Sequence, residues 1–147
     1  MDGDTLLEKF ARLLPAFPRY LGIELTAAEP DRLAASVMVR EETGNGQGSM
    51  HGGALMAVAD TLGAIGTLIN LQPGQRTTTI ESKTNFIAAA PIGARLLAEA
   101  VPLHRGRTTQ IWQTRISREN GRLVAIVIQT QLVLATSPAL PGDIATG

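Results

Sequence analysis

Cysteine is absent from the sequence and histidine occurs only twice, which excludes several kinds of chemistry. Without cysteine the chain can form no disulfide, no thiolate nucleophile and no cysteine-ligated metal site. His51 and His104 are too few for a histidine-rich metal site, and neither belongs to an HExxH-like motif. Aromatic residues are also scarce, at 3%, and we predict that Phe86 and Trp112 pack in the core. The sequence therefore predicts no metal site.

An excess of charge of one sign is lacking too, because 13 basic residues balance 13 acidic ones. This balance gives no reason to expect nucleic acid or an anionic membrane as a partner. The N-terminus, MDGDTLLEKFARLL, does not have the basic-then-apolar order of a signal peptide, so the cytoplasm is the expected location. The apolar run at residues 54–69 is shorter than the roughly 20 residues of a membrane span. It also contains Asp60, which favours a buried core helix.

The length of 147 residues, with 44% hydrophobic and 18% charged residues, fits one globular domain. We predict a single domain over residues 1–136 and a flexible C-terminal tail over 137–147. Apolar residues at helical spacing predict an N-terminal helix over residues 4–14, with Asp4 as its N-cap. Pro15 and Pro18 are expected to end this helix.

Most of the remaining chain follows the period of two that is typical of β-strands. YLGIELTAAEP and RLAASVMVRE predict two strands joined by a turn, and Leu33, Ala35, Val37 and Val39 share one face of the second. Four further strands are predicted at residues 77–89, 94–103, 108–117 and 122–135. In the last strand Val124, Ile126, Ile128, Leu132 and Leu134 are predicted to share one face. Consecutive strands separated by turn signals predict an antiparallel meander.

Residues 52–70 predict a helix that is apolar on every side and should be enclosed by the sheet. These elements together predict an α+β fold, with the antiparallel sheet wrapped around this helix. The helix follows a glycine-rich loop that ends in His51-Gly52-Gly53. Free N–H groups at a helix N-terminus suit a carbonyl oxygen that acquires negative charge. A plain helix start after a flexible loop is the alternative, and His51 could orient the loop, contact substrate or cap the helix.

Asp60 is a single carboxylate in the middle of this apolar helix. No residue three or four positions away carries a positive charge, and Gly63 and Ala64 leave space beside it. One interpretation is structural, with the carboxylate hydrogen-bonded to Thr61 or to an adjacent strand. The other is a general base or nucleophile in a cleft that contains little water.

His51 and Asp60 are nine residues apart, which corresponds to about 900° of helical rotation and roughly 13 Å along the axis. One helix cannot easily direct both groups at the same substrate atom. Two copies related by a two-fold axis could do so, one supplying the helix N-terminus and the other Asp60. If these groups are catalytic, we expect a site shared between subunits.

The stretch NGQGSMHGGALMAVADTLGA resembles the signature of PaaI-like acyl-CoA thioesterases with the hotdog fold. These proteins have an asparagine six residues before the HGG motif and an acid nine residues after its histidine. Asn45, His51, Gly52, Gly53 and Asp60 match that spacing, and the resemblance extends from about residue 20 to 135. It implies an antiparallel sheet wrapped around a central helix, and homodimers that join their sheets edge to edge and pair into tetramers.

The resemblance also implies a role for each matched residue. The Gly52 N–H would hold the thioester oxygen, with Gly53 allowing close approach, and Asn45 would position water or the thioester. Asp60 of the partner subunit would activate water or attack the carbonyl. A hydroxyl residue on the following strand helps to hold that water in some relatives, and Thr79 stands at the corresponding point.

The segment HRGRTT resembles the hairpin that lies along the CoA arm in this family. Arg105, Gly106 and Arg107 would then contact CoA, with Arg76 a weaker candidate. The alternative is compositional, since 11 of the 13 basic residues are arginine. CoA would be part of the substrate, so no separate cofactor is implied.

The leading hypothesis from the sequence is hydrolysis of an acyl-CoA thioester to a carboxylic acid and CoA. An acyl-CoA-binding domain without catalysis is one alternative, and a hotdog hydratase or dehydratase of acyl thioesters is another. The apolar acyl pocket is expected among Leu55, Met56, Leu62 and the N-terminal helix.

Overall fold

Six antiparallel strands and one long helix make up most of the computed structural model, which describes residues 3–135. The elements are α1 (Leu6–Arg12), α2 (Ala16–Tyr20), β1 (Glu24–Glu29), β2 (Arg32–Met38), α3 (Gly52–Ile69), β3 (Arg76–Phe86), β4 (Arg95–Arg105), β5 (Thr109–Arg118) and β6 (Leu123–Leu134). A short 3₁₀ turn at Glu41–Thr43 precedes α3. The predicted α+β architecture is confirmed, whereas the tail at 137–147 lies outside the described residues.

The strand order is β1-β2-β4-β5-β6-β3, so the predicted four-strand meander is wrong in one respect. Only β4, β5 and β6 follow one another as neighbours, and β3 pairs with β6 at the edge of the sheet. The segment between β3 and β4 therefore crosses over instead of forming a hairpin. A turn signal such as Pro91-Ile92-Gly93 is the same before a hairpin and before a crossover. It indicates that the chain changes direction but not which strand the next strand pairs with.

The central helix α3 packs against the curved sheet and spans residues 52–69, within one residue of the prediction. By length and composition it could also cross a membrane, but its packing is that of a core helix. Val58 and Leu62 are fully buried, whereas Leu68 is 44% exposed and Asp60 is half-buried. The prediction of complete enclosure is therefore wrong, since the sheet covers one side of α3 and the N-terminal helices cover only part of the other.

The N-terminal segment forms two short helices instead of the single predicted helix. Thr5, and not Asp4, caps α1: its Oγ1 accepts from the Glu8 N–H at 3.2 Å, and Glu8 Oε2 accepts from the Thr5 N–H at 2.8 Å. Asp4 instead pairs with Arg12. Pro15 caps α2 and Pro18 lies within its first turn, where a backbone N–H is not required. Because α2 continues to Tyr20, β1 begins only at Glu24.

Strands β2 and β6 differ in whether the apolar face found from the sequence is the one that faces the core. In β2 and just beyond it, the four apolar residues predicted to share a face are all at most 2% exposed. In β6, Ile126, Ile128, Leu132 and Leu134 share one face as predicted and Val124 is buried, but the side facing α3 is the other one, with Ala125, Val127, Gln129 and Gln131. Both faces of β6 carry apolar residues, so alternation alone cannot select the inner one. Gln131 uses both ends of its amide in hydrogen bonds there, and Gln129 donates through Nε2 to Asp60.

Candidate active site

The start of α3 leaves one backbone N–H free. His51 is the N-cap, and its Nδ1 accepts from the Gly53 N–H at 2.8 Å, so the ring proton lies on Nε2. The N–H groups of Ala54 and Leu55 both donate to the carbonyl of His51. Within residues 3–135 the Gly52 N–H has no acceptor. His51 therefore acts as a cap and leaves the Gly52 N–H as the available donor.

The ring of Phe86, at the end of β3, lies directly against Gly52. A Cβ atom on Gly52 would be 3.0 Å from Phe86 Cζ, so a side chain there would require the exposed Phe86 ring to move by a few tenths of an ångström. Phe86 is 56% exposed, which shows that its predicted core position is wrong. Gly53 is similarly constrained, because a Cβ there would be 3.0 Å from His51 Nδ1. The two glycines thus permit the aromatic contact and the histidine cap.

Asn45 shapes the loop before α3. Its Oδ1 accepts from the Gln47 N–H at 2.9 Å and the Ser49 N–H at 3.3 Å, and its own N–H donates to the carbonyl of Ser49. Ser49 in turn bonds through its hydroxyl to the backbone of Ala90. The Asn45 side chain is exposed, and its Nδ2 has no acceptor in the described part of the chain. The amide oxygen is therefore used within the loop, while the amide nitrogen is free.

The carboxylate of Asp60 is held through one oxygen. Oδ1 accepts from Thr79 Oγ1 at 2.7 Å and from Gln129 Nε2 at 3.3 Å. Thr61 is not a partner, because its hydroxyl donates to the carbonyl of Ala57 at 2.8 Å. Among residues 3–135 no cation pairs with Asp60, and Oδ2 has no donor. The predicted hydrogen bond from an adjacent strand to the carboxylate is thus confirmed, and the predicted bond from Thr61 is wrong. Oδ2 is available to a ligand.

A chain of hydrogen bonds behind Asp60 has a fixed direction. Gln131 Nε2 donates to Thr79 Oγ1 at 2.7 Å, and Gln131 Oε1 accepts from Thr77 Oγ1 at 3.0 Å. Because the oxygen of Thr79 already accepts from an amide, its single proton is directed to Asp60. Gln131 is fully buried, whereas Thr77 and Thr79 are half-buried. The result is a carboxylate whose orientation is set by residues of β3 and β6.

Gln129 and Gln131 are the functional candidates that the sequence analysis missed. The stretch VAIVIQTQLVL contains two amides spaced two residues apart, which places them on one face of a strand. That spacing is the signal that could have identified them. Gly63 makes room for one of them, since a Cβ there would be 2.4 Å from Gln129 Cδ.

The predicted CoA-binding residues lie at the opposite end of α3 from Gly52. Arg105 Nη1 donates to the carbonyl of Pro30 at 3.0 Å and to Asn70 Oδ1 at 3.3 Å, at the C-terminus of the helix. Arg107 is exposed in the β4–β5 turn, next to Gly106. The 18 residues of α3 correspond to about 27 Å. Contact of these arginines with CoA stays a prediction, and the guanidinium of Arg105 already has structural partners.

A cavity of about 340 Å³ opens beside Asp60, between α3 and the two N-terminal helices. The prediction that the N-terminal helix lines an apolar pocket is confirmed. The prediction is wrong for Leu55, Met56 and Leu62, which do not line it; Leu55 and Leu62 are at most 4% exposed in the core between α3 and the sheet. The carboxylate of Asp60 thus lies between its strand partners and an apolar space.

Comparison with known proteins gives consistent matches. The family model described as Thioesterase superfamily matches residues 47–125. Proofreading thioesterase EntH of Cronobacter turicensis is 35% identical over 103 residues, 70% of this chain and 74% of that protein. The 1,4-dihydroxy-2-naphthoyl-CoA hydrolase of Escherichia coli is 31% identical over 104 residues, 71% of this chain and 76% of that protein. Thioesterase HI1161 of Haemophilus influenzae superposes with a TM-score of 0.85 at 27% identity, covering 93% of this chain and 96% of that one.

The sheet wrapped around α3 is the hotdog fold, and the fold with these relatives defines a thioester hydrolase. The chain belongs to the thioesterase superfamily. The resemblance found in the sequence is therefore confirmed at the level of family, fold and enzyme class.

Proposed function

We propose that the chain hydrolyses an acyl-CoA thioester, with Asp60 as the group that acts on the thioester carbonyl. The main observation is that Asp60, beside an apolar cavity, is anchored through Oδ1 while Oδ2 has no donor among residues 3–135. CoA as the thiol is supported by the Escherichia coli relative, whose name describes a CoA-thioester hydrolase.

In this proposal Asp60 acts in one of two ways. As a general base, Oδ2 removes a proton from water while the water oxygen attacks the carbonyl carbon. As a nucleophile, Oδ2 attacks the carbon directly, and water then cleaves the resulting anhydride. In both cases the carbon–sulfur bond breaks and CoA leaves as the thiol. The negative charge on the carbonyl oxygen is stabilised by the Gly52 N–H and the N-terminal end of the helix dipole.

The two groups belong to different subunits of a dimer in this proposal. Asp60 follows Gly52 by eight residues, about 12 Å along the axis of one helix, which is too far for a single carbonyl group. Strand β3 is 11 residues long and has no partner on its outer side within residues 3–135. A long open edge of this kind favours pairing with a second copy.

The contacts of β3 support the same arrangement. Asp60 contacts this strand at Thr79, and Gly52 contacts it at Phe86. If two β3 strands pair in antiparallel fashion around an axis near Ser82, Thr79 lies opposite Phe86 of the partner subunit. Asp60 then approaches Gly52 of the partner subunit, as a shared site requires.

The test is thiol release from acetyl-, hexanoyl-, decanoyl-, phenylacetyl- and benzoyl-CoA, trapped with a chromogenic disulfide. We expect turnover by the wild-type protein and a fall in kcat of about 10²–10⁴-fold for Asp60→Asn. Asp31→Asn, in the exposed β1–β2 turn, is the matched control and should be unaffected. Wild-type turnover by Asp60→Asn would refute the role of Asp60. Binding of every acyl-CoA without turnover would support the non-catalytic alternative.

A further inference from the structure

The cavity beside Asp60 is closed on one side by the N-terminal helices. This wall is apolar throughout, and it consists of Phe10, Leu13, Leu14, Pro15 and Pro18. Both helices are short, and Leu13 is 59% exposed at the rim. The side chain of Leu13 is therefore accessible to an apolar ligand that enters the cavity.

The opposite wall is formed by one side of α3. Its members are Asp60, Thr61, Ala64, Ile65 and Leu68. Thr61 has already donated its hydroxyl proton to the carbonyl of Ala57, and Asp60 is the one charged residue of the lining. Apart from the carboxylate, the lining residues within 3–135 therefore offer a ligand apolar contacts and no free side-chain hydrogen-bond donor.

We infer that this cavity holds the acyl group, and that it selects medium-length, unhydroxylated apolar acyl chains. The inference rests on the proposed hydrolysis at Asp60, because the acyl chain begins at the carbonyl that Asp60 attacks. Thr79 and Gln129 lie on one side of the Asp60 carboxylate and the cavity lies on another. An acyl chain that extends from the carbonyl away from these two residues therefore enters the cavity. Its substrates are thus fatty or simple arylalkyl thioesters.

The volume sets the length of the preferred chain. A cavity of about 340 Å³ holds on the order of ten groups of the size of water or a methylene, at roughly 30 Å³ each. Each methylene that moves from water into the cavity raises kcat/KM by roughly three- to fivefold. The gain ends when the cavity is full, so we expect an optimum near hexanoyl to decanoyl.

The polarity of the walls sets the second part of the selectivity. A hydroxyl group at the far end of the acyl chain, away from Asp60 and Thr61, would lose water and find only apolar side chains among the lining residues. An apolar site discriminates against an added hydroxyl by about 10²-fold. This chain should therefore prefer substrates other than the dihydroxylated one named for its Escherichia coli relative.

The first test measures kcat/KM for saturated acyl-CoAs from acetyl to tetradecanoyl, together with the pair phenylacetyl- and 4-hydroxyphenylacetyl-CoA. Ala64→Phe fills the cavity from the α3 side and should move the optimum to shorter chains. Ala11→Phe, on the exposed side of α1 and outside the cavity lining, is the matched control and should leave the length profile unchanged. A flat length profile in the wild type, or equal rates for the hydroxylated and unhydroxylated pair, would overturn the inference.

A second pair of variants keeps the inference testable if Ala64→Phe does not fold. Leu13→Gln alters the rim and should lower kcat/KM for decanoyl-CoA by at least threefold more than for acetyl-CoA. Leu6→Gln changes an exposed leucine of the same helix that does not line the cavity. Equal effects of Leu13→Gln on both substrates would contradict the inference.

Measuring the binding of ligands that cannot be hydrolysed tests the acyl cavity independently of the proposed hydrolysis. Calorimetry with non-hydrolysable S-ethyl-, S-hexyl- and S-decyl-CoA thioethers measures how Kd depends on chain length when no turnover occurs. Binding that tightens with chain length in the wild type, and does not in Ala64→Phe, supports the cavity even if no thioester is hydrolysed. Equal Kd values across the series would refute the cavity assignment while leaving hydrolysis at Asp60 intact.

Discussion

Thr79 Oγ1 lies 2.7 Å from Asp60 Oδ1 and donates its proton to it. The direction follows from Gln131, whose amide donates to the same hydroxyl from the other side. A threonine on an edge strand thus connects a fully buried glutamine to the carboxylate of the central helix.

Replacing Thr79 tests whether this connection positions Asp60. Thr79→Val keeps the shape of the side chain and removes the hydroxyl, so the carboxylate loses its shorter hydrogen bond. We expect kcat to fall by about 10–100-fold, since small displacements of a catalytic group have effects of this order. Thr79→Ser, which keeps the hydroxyl, should restore most of the loss in steady-state kinetics. Equal activities of the valine and serine variants would show that the hydrogen bond does not matter for turnover.

The Gly52 N–H can be removed without a large change in backbone conformation. Proline is favoured at the first position of a helix, and the extended backbone of His51 suits a residue that precedes proline. Gly52→Pro should lower kcat by about 10²–10³-fold, the usual loss for one oxyanion donor. Gly52→Ala adds the same Cβ beside Phe86 and keeps the N–H, so the ratio of the two variants isolates the donor. A ratio near one would exclude this N–H from the reaction.

Mixed dimers test whether the site is shared between subunits. Asp60→Asn and Gly52→Pro subunits, carrying different affinity tags, are co-expressed and the heterodimers isolated. A shared site leaves one intact pairing per heterodimer, so about half of the wild-type activity should return although each parent is inactive. If both groups act within one subunit, the heterodimer should be as inactive as its parents.

The stability of the core depends on a close contact between Gly66 and Trp112. A Cβ on Gly66 would lie 2.6 Å from the ring of Trp112, which is fully buried. Alanine favours helix by about 1 kcal/mol over glycine, yet we expect Gly66→Ala to lower the free energy of unfolding by about 1–3 kcal/mol through overpacking. Urea unfolding at a fixed protein concentration measures this change. In a Trp112→Phe background the cost should shrink, and a stabilising effect of Gly66→Ala would contradict the contact.

The sequence predicted the central helix and the positions of the six strands because local patterns encode them. The uniform apolar character of residues 54–69 and the glycines before it located α3 to within one residue. Strand order was not predictable in the same way. Whether β3 pairs with β4 or with β6 depends on contacts far apart in the chain, and the turn before β4 does not reveal it.

In the candidate site, too, residues in local motifs could be named from the sequence, whereas residues brought in by long-range contacts could not. Asp60, Gly52 and Thr79 were named as candidates from the sequence, whereas Gln129 and Gln131 were missed because β6 is apolar on both faces and alternation does not show which face is inner. Asn45 and Arg105 were assigned substrate roles, and the structure shows hydrogen bonds to their own surroundings. Such bonds depend on the folded geometry and leave no periodic trace in the sequence.

In the proposed site, the residues of α1 and α2 that line the acyl cavity are different from the residues that hold the Asp60 carboxylate. The carboxylate is held by β3 and β6, and neither N-terminal helix contributes a hydrogen bond to it. Substitutions in residues 6–20 can therefore change which acyl group fits while the reacting groups keep their positions. A library of variants at Phe10, Leu13 and Leu14 can then be screened for new acyl groups without disturbing the hydrogen bonds that hold Asp60.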